Sequence, residues 1–243
     1  MAKDKRKSHR HQPGEHVEQE LRYYRPDGFR VPGRLGGLTL TESRPNPHRD
    51  RYFDGVHKGR LVLRCDGYSL RVRTKATGEL LATFKAKRPD QGARSQRAET
   101  ESQVLCPACE RPATRDGADG CHICAAHDNY VALVAHGECA ALSKARESAD
   151  KVPLMFMFAI ANDRVDHHYH GPGGAHVVLS EDFITYPDGS TERRVEVEHV
   201  TGDPQLLDRI DGELRGLHPS LRACKRGKLS EGRRRMAALL AAA

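Results

Sequence analysis

The stretch Arg60-Leu-Val-Leu-Arg-Cys65, Asp66-Gly67, Tyr68-Ser-Leu-Arg-Val-Arg73, continuing through Lys75-Ala-Thr-Gly78 into Glu79-Leu-Leu-Ala-Thr-Phe-Lys-Ala-Lys87, carries the clearest β signal in the chain. Apolar residues recur at every second position, the period of a strand. Asp66-Gly67 has the composition of a two-residue hairpin turn, and Gly78 closes a second turn. The expected unit is a three-stranded antiparallel meander. Leu61, Leu63 and Cys65 share one face of its first strand, Leu70 and Val72 one face of the second, and Leu80, Ala82, Phe84 and Ala86 one face of the third. The opposite face then carries Arg60, Arg64, Arg71, Arg73, Lys85 and Lys87. Clustered like charges repel across strands, so an anionic partner would relieve them. An ordinary solvated face with acidic neighbours is the alternative.

Working outward, residues 1–20 read as a flexible basic arm with almost nothing to bury. Residues 21–90 form a β-rich domain that includes the meander and a short strand at Leu38–Thr41. Residues 91–129 comprise a polar linker, part of a polar stretch over 88–104, and the cysteine module that follows at 105–127. Residues 130–220 form an α+β domain. In it Tyr130–Val134 reads as a strand, Glu138–Ser148 as a short helix, 153–161 as a buried strand, and Phe183–Val200 as a hairpin. A helix follows Asp203-Pro204, an N-cap and first-turn pair, with an apolar stripe of Leu206, Leu207, Ile210, Leu214 and Leu217. Residues 221–243 are a basic helical tail exposing Arg233, Arg234 and Arg235. The expected class is α+β: an antiparallel β meander, a four-cysteine zinc knuckle module, and a C-terminal α/β segment with terminal helices.

The net charge of +7 and pI of about 9.1 favour an anionic partner. The longest apolar run, Pro153–Ala161, is too short to span a membrane, and the N-terminus has no secretory signal, so a cytoplasmic protein with no membrane partner is expected.

Cys106-Pro-Ala-Cys109 and Cys121-His-Ile-Cys124 are two CxxC pairs separated by residues 110–120. Such a pair points two thiolates at one ion, and a second pair completes the tetrahedron zinc prefers. Four thiolates leave no open position, so the Zn2+ expected here is structural and no catalytic residue is assigned. The module resembles zinc-ribbon and treble-clef knuckles in its Cys-Pro-x-Cys form.

A second cluster is Asp166-His-His-Tyr-His170 with His176, and His127-Asp-Asn129 with His136 is a third. Next to the CxxC pairs they resemble HNH-type nucleases, although residues 110–120 lack the histidine those proteins place there. The whole-chain look is similar to small early proteins of temperate phages, including recombination directionality factors, which act on a large serine integrase and favour excision.

These readings lead to a non-enzymatic, zinc-binding regulatory protein of DNA machinery. Its expected partners are DNA or a DNA-acting protein such as a serine recombinase, with no small-molecule substrate. An HNH-like metal-dependent nuclease and an RNA-binding module are the alternatives.

Overall fold

In the computed structural model, residues 16–87, 94–114, 121 and 130–242 are described, without the side chains of residues 16, 87 and 242. Most of the basic arm, residues 88–93, Cys124, His127 and the side chain of Lys87 therefore lie outside the described residues.

The strands are β1 (His16–Tyr24), β2 (Arg34–Leu35), β3 (Leu38–Pro45), β4 (His48–His57), β5 (Arg60–Leu61), β6 (Tyr68–Lys75), β7 (Leu80–Lys87), β8 (Arg94–Gln103), β9 (Leu154–His170), β10 (His176–Thr185), β11 (Thr191–Thr201) and β12 (Arg222–Ala223). The helices are α1 (Val62–Cys65), α2 (Tyr130–His136), α3 (Ala140–Ser148), α4 (Leu206–Leu217) and α5 (Lys228–Ala242).

The strands join one antiparallel sheet in the order β9-β10-β11-β1-β8-β7-β6-β4, and β4 pairs back onto β9. The sheet therefore closes into an eight-stranded barrel, which removes exposed edges. The first half of β9 pairs β4 and its second half pairs β3. The change of partner falls at Pro45-Asn46-Pro47, where the two prolines lack a ladder N–H. Asn46 holds the break in place, its N–H donating to Arg164 O at 2.8 Å.

This architecture corrects the expected α+β class. The barrel dominates, and the meander is one part of its wall. Two local readings also change. Residues 60–65 do not form a strand paired with β6. Lys58 and Gly59, both at positive φ, turn β4 back onto the short β5. The Asp54 carboxylate then accepts the Leu63 and Arg64 N–H groups at 2.8 and 3.3 Å, which favours a helical turn there. Tyr130–Val134 is helical rather than extended. Its buried residues Tyr130, Leu133 and Val134 lie at i, i+3 and i+4, one face of a helix.

Two apolar layers cover the outside of the barrel. Helices α2 and α3 pack Leu133, Val134, Leu142 and Ala145 on the outer faces of Leu70, Val72, Leu80, Ala82 and Phe84. Helix α4 packs Leu206, Leu207, Ile210 and Leu214 on Leu21, Tyr23, Leu179, Val195 and Val197. Burying each such side chain stabilises the fold by about 1.5–3 kcal/mol. A third layer lies inside one end of the barrel. There Leu229 and Met236 of α5 meet Tyr52, Phe158, Ile160, Ile184 and Tyr186. Gly232 faces Phe158 so closely that a Cβ would lie 2.6 Å from the ring.

Candidate active site

Side chains alternate across a strand, and directly paired residues of neighbouring strands share a face. Leu21 and Tyr23 lie under α4, so Glu18, Glu20 and Arg22 point into the barrel. The register carries this assignment round the wall. Glu20 pairs Glu198, Arg22 pairs Glu196, Glu18 pairs Arg97 and Lys85 pairs Glu99. Arg71 pairs Thr83, Arg73 pairs Asp50, and Arg164 pairs Asp182. The interior is thus a charged tunnel. Its cations are Arg22, Arg71, Arg73, Lys85, Arg97, Arg164 and Arg194. Its acids include Glu18, Glu20, Asp50, Glu99, Glu101, Asp182, Glu196 and Glu198.

Burying charge is costly unless it is paired, and much of the tunnel obeys this. Arg73 holds Asp50 with two bonds of 2.8 and 3.1 Å. Arg71 donates to Asp50 at 3.3 Å and to Thr83 Oγ1 at 3.1 Å. Burial would raise the Asp50 carboxyl, but the two guanidiniums hold it well below the usual range. His48, beside them, is pushed down to about 3 by burial and by Arg73. It is neutral, with Nδ1 2.9 Å from the Asn46 carbonyl. Lys85 Nζ lies 2.6 Å from both Glu18 and Glu99.

The end entered by α5 is also compensated. Arg164 reaches Asp182 at 2.6 Å and Glu196 at 2.7 Å. Lys228, the first residue of α5, reaches the same two acids at 2.6 and 2.7 Å. Asp182 is held well below its ordinary value by these cations, against burial.

Glu20 and Glu198 differ. Burial raises Glu20 to about 8, and the neighbouring charges of Glu18 and Glu196 add to the shift. Burial raises Glu198 to about 7, again with Glu18 adding to it. Among the described residues the Glu198 side chain makes no hydrogen bond or ion pair, and the Glu20 carboxylate has Arg22 at 3.6 Å. The two are direct cross-strand partners. Carboxylates crowded in this way must take up a proton or share a cation. Hard oxygen donors of this kind suit a divalent ion such as Mg2+ or Mn2+.

The cations expected on one sheet face are separated in the fold. Arg71, Arg73 and Lys85 line the tunnel, whereas Arg60 and Arg64 are exposed on β5 and α1. Of the tail cations, Arg233 lies 3.7 Å from Asp54 and Arg235 packs over Tyr186. Arg234 is exposed and pairs with Glu231. His167 faces outward between Ser43 at 2.8 Å and Glu181 at 3.3 Å. His168 lies in the Glu198 row through Val178, and it meets His176, which stacks on His170 one step further along. Sequence reading missed Glu18, Glu20, Glu196 and Glu198. The signal was present as two acids two residues apart, in Glu18-Gln-Glu20 and Glu196-Val-Glu198.

Outside the tunnel, the thiols of Cys106, Cys109 and Cys121 lie within 4.8 Å of one another and could hold a metal ion. Cys106 Sγ and Cys121 Sγ are 3.7 Å apart, too far for a disulfide.

No family model matches the chain, and no curated protein matches it. Among solved structures it is similar to a putative adenylyl cyclase from Hippeastrum, described as having a dominant triphosphatase activity. The identity is 17%, the TM-score is 0.57, and the match covers 89% of this chain and 95% of that one. At this identity the likeness shows a shared barrel fold. It overturns the expected non-enzymatic regulator of DNA recombination or excision, phage directionality factor included, together with its nuclease and RNA-binding alternatives. Of the cations expected to meet DNA, Arg71, Arg73 and Lys85 turn into the tunnel of this barrel instead. Among the described residues no helix is long and apolar enough to cross a membrane.

Proposed function

We propose that this chain hydrolyses a phosphoanhydride bond of a linear triphosphate-type anion, free or carried by a small organic group, with a divalent cation held by the tunnel carboxylates. One observation carries this reading: a row of guanidinium and ammonium groups and a crowded carboxylate group share one tunnel that α5 plugs at one end. The similar structure's triphosphatase activity supports it.

Arg71, Arg73, Lys85 and Arg97 would bind and align the phosphate oxygens. Arg71 and Arg73 are already oriented by Asp50, so little reorganisation is needed when charge builds up on the phosphates. Glu20 and Glu198, with Glu18 beside them, would hold the divalent cation. Bound there, it would supply charge neutralisation and an acidified water nucleophile. The barrel wall limits water around the phosphates and strengthens each contact. In this reading a small phosphate-bearing substrate takes the place of DNA as the anionic partner.

The test is release of inorganic phosphate from tripolyphosphate and ATP by the full chain, with Mg2+ or Mn2+ and with EDTA. Divalent-dependent release that falls about a hundredfold in Arg73→Ala is expected. Folded protein that cleaves neither compound with either ion would contradict the reading.

We also infer that the ion suited to the thiol cluster is zinc. A tetrahedron with Zn–S of about 2.3 Å has an S–S edge of about 3.8 Å, close to the 3.7 Å between Cys106 and Cys121. By spacing, Cys124 would supply the fourth thiolate, which keeps the knuckle resemblance as part of this proposal.

A further inference from the structure

We propose that a zinc-thiolate clamp at Cys106, Cys109 and Cys121 locks the α2–α3 cap to the barrel and so sets the position of the tunnel's Arg71 and Arg73. This makes it a second metal centre, structural and separate from the carboxylates.

The clamp stands on a small hairpin at residues 104–114. Cys106 N–H donates to Arg111 O, and Ala113 N–H donates to Val104 O, at 2.9 and 2.8 Å. One side of the hairpin grips the start of β7. Val104 N–H donates to Leu80 O at 3.0 Å, and Leu80 N–H to Ala113 O at 3.2 Å. The other side grips the residue just ahead of the α3 region, where Leu105 and Glu138 exchange both backbone hydrogen bonds at 3.0 and 3.1 Å. Val104 and Ala113 are buried in the same core as Leu133, Leu142, Leu70 and Val72. The thiols thus sit on a hairpin that bonds to both wall and cap, beside the direct packing of α2 and α3 on the wall.

Two features of the junction fit a metal. The three thiols converge although only Cys106 and Cys109 share a turn and Cys121 comes from further along the chain. Glu110, directly after Cys109, adopts φ 56°, a left-handed conformation that a non-glycine residue keeps only where the surroundings impose it. A thiolate-bound ion supplies that constraint, and its binding energy becomes folding energy.

The coupling to the tunnel follows from strand alternation. Leu70 and Val72 face the cap, while Arg71 and Arg73 on the same strand face inward. Tyr130 of α2 strengthens the link, its hydroxyl 3.1 Å from Thr74 Oγ1. A cap freed from the hairpin would loosen β6 and weaken phosphate binding more than the chemical step.

The experiment measures zinc content and amide exchange of the full chain, native and after chelation, alongside Cys109→Ser and the exposed-thiol control Cys65→Ser. Expected are about one zinc per chain and a rise of at least about tenfold in exchange over residues 130–148 on chelation. Cys65→Ser should match the native chain. Should Cys109→Ser fail to fold, chelation of the native chain decides. A zinc-free native protein, or a cap whose exchange ignores zinc removal, overturns the clamp. These readouts need no substrate. The tunnel link rests on the triphosphatase reading and is read as KM for tripolyphosphate rising about fivefold or more on zinc removal with kcat nearly unchanged. A fall in kcat alone overturns that link while leaving the clamp intact.

Discussion

The two carboxylate groups of the tunnel behave differently. Asp182 and Glu196, beside α5, are each met by Arg164 and Lys228. Glu20 and Glu198, further along β1 and β11, are raised to about 8 and 7 by burial and by one another's neighbours. The first group is a closed ion network that fastens the plug helix. The second carries more negative charge than the protein compensates, which is the condition for binding a cation from outside.

Breaking the compensated group should cost the most stability. Lys228→Met leaves two buried acids sharing Arg164, and the denaturant midpoint should fall by an amount equivalent to about 3–5 kcal/mol. Glu20→Gln and Glu198→Gln should do the reverse. Removing excess charge should leave stability unchanged or raised while divalent-dependent phosphate release drops about a hundredfold. Loss of stability matching that of Lys228→Met would erase the distinction between the groups.

The same contrast appears in pH. Glu20 and Glu198 have folded values above the unfolded carboxylate value of 4.5. The stability they contribute is full below pH 4.5 and is lost as pH rises through 7 and 8. Asp50 and Asp182 have depressed values, so their contribution is present above 3.8 and is lost as pH falls well below it. Melting temperature should therefore decline from mildly acid pH toward pH 8 in EDTA. Saturating Mg2+ should flatten that decline, because it binds the folded form alone. The smallest effect belongs to Arg234→Ala. Among the described residues it pairs only along its own helix, and the substitution should leave both the denaturant midpoint and phosphate release unchanged.

The parts of the fold legible in the sequence are those whose outer face is apolar and whose inner face is polar in the usual way. β6, β7, the β10–β11 hairpin and α4 could be read from Leu70 and Val72, from Phe84, from Val195 and Val197, and from the stripe Leu206 to Leu214. β1, β4 and β8 were not legible. Their inward positions carry Glu18, Glu20 and Arg22, then His48 and Asp50, then Arg97, Glu99 and Glu101. A barrel with an ionic interior places charge where hydrophobic patterning expects solvent, so β8 resembled a linker. Closure was hidden for a different reason: the β4–β9 pairing joins residues about a hundred positions apart, which no local pattern reports. The cysteine spacing, by contrast, is local and was readable from residues alone.

The most direct test of the uncompensated carboxylates as a cation site is calorimetric titration of Mn2+ into the native chain and into the Glu20→Gln/Glu198→Gln double variant. Saturable binding by the native chain that is lost in the double variant is predicted, with Lys228→Met retaining it at a temperature where that variant remains folded. Equal binding by native chain and double variant, or tripolyphosphate cleavage that needs no divalent ion, would contradict it.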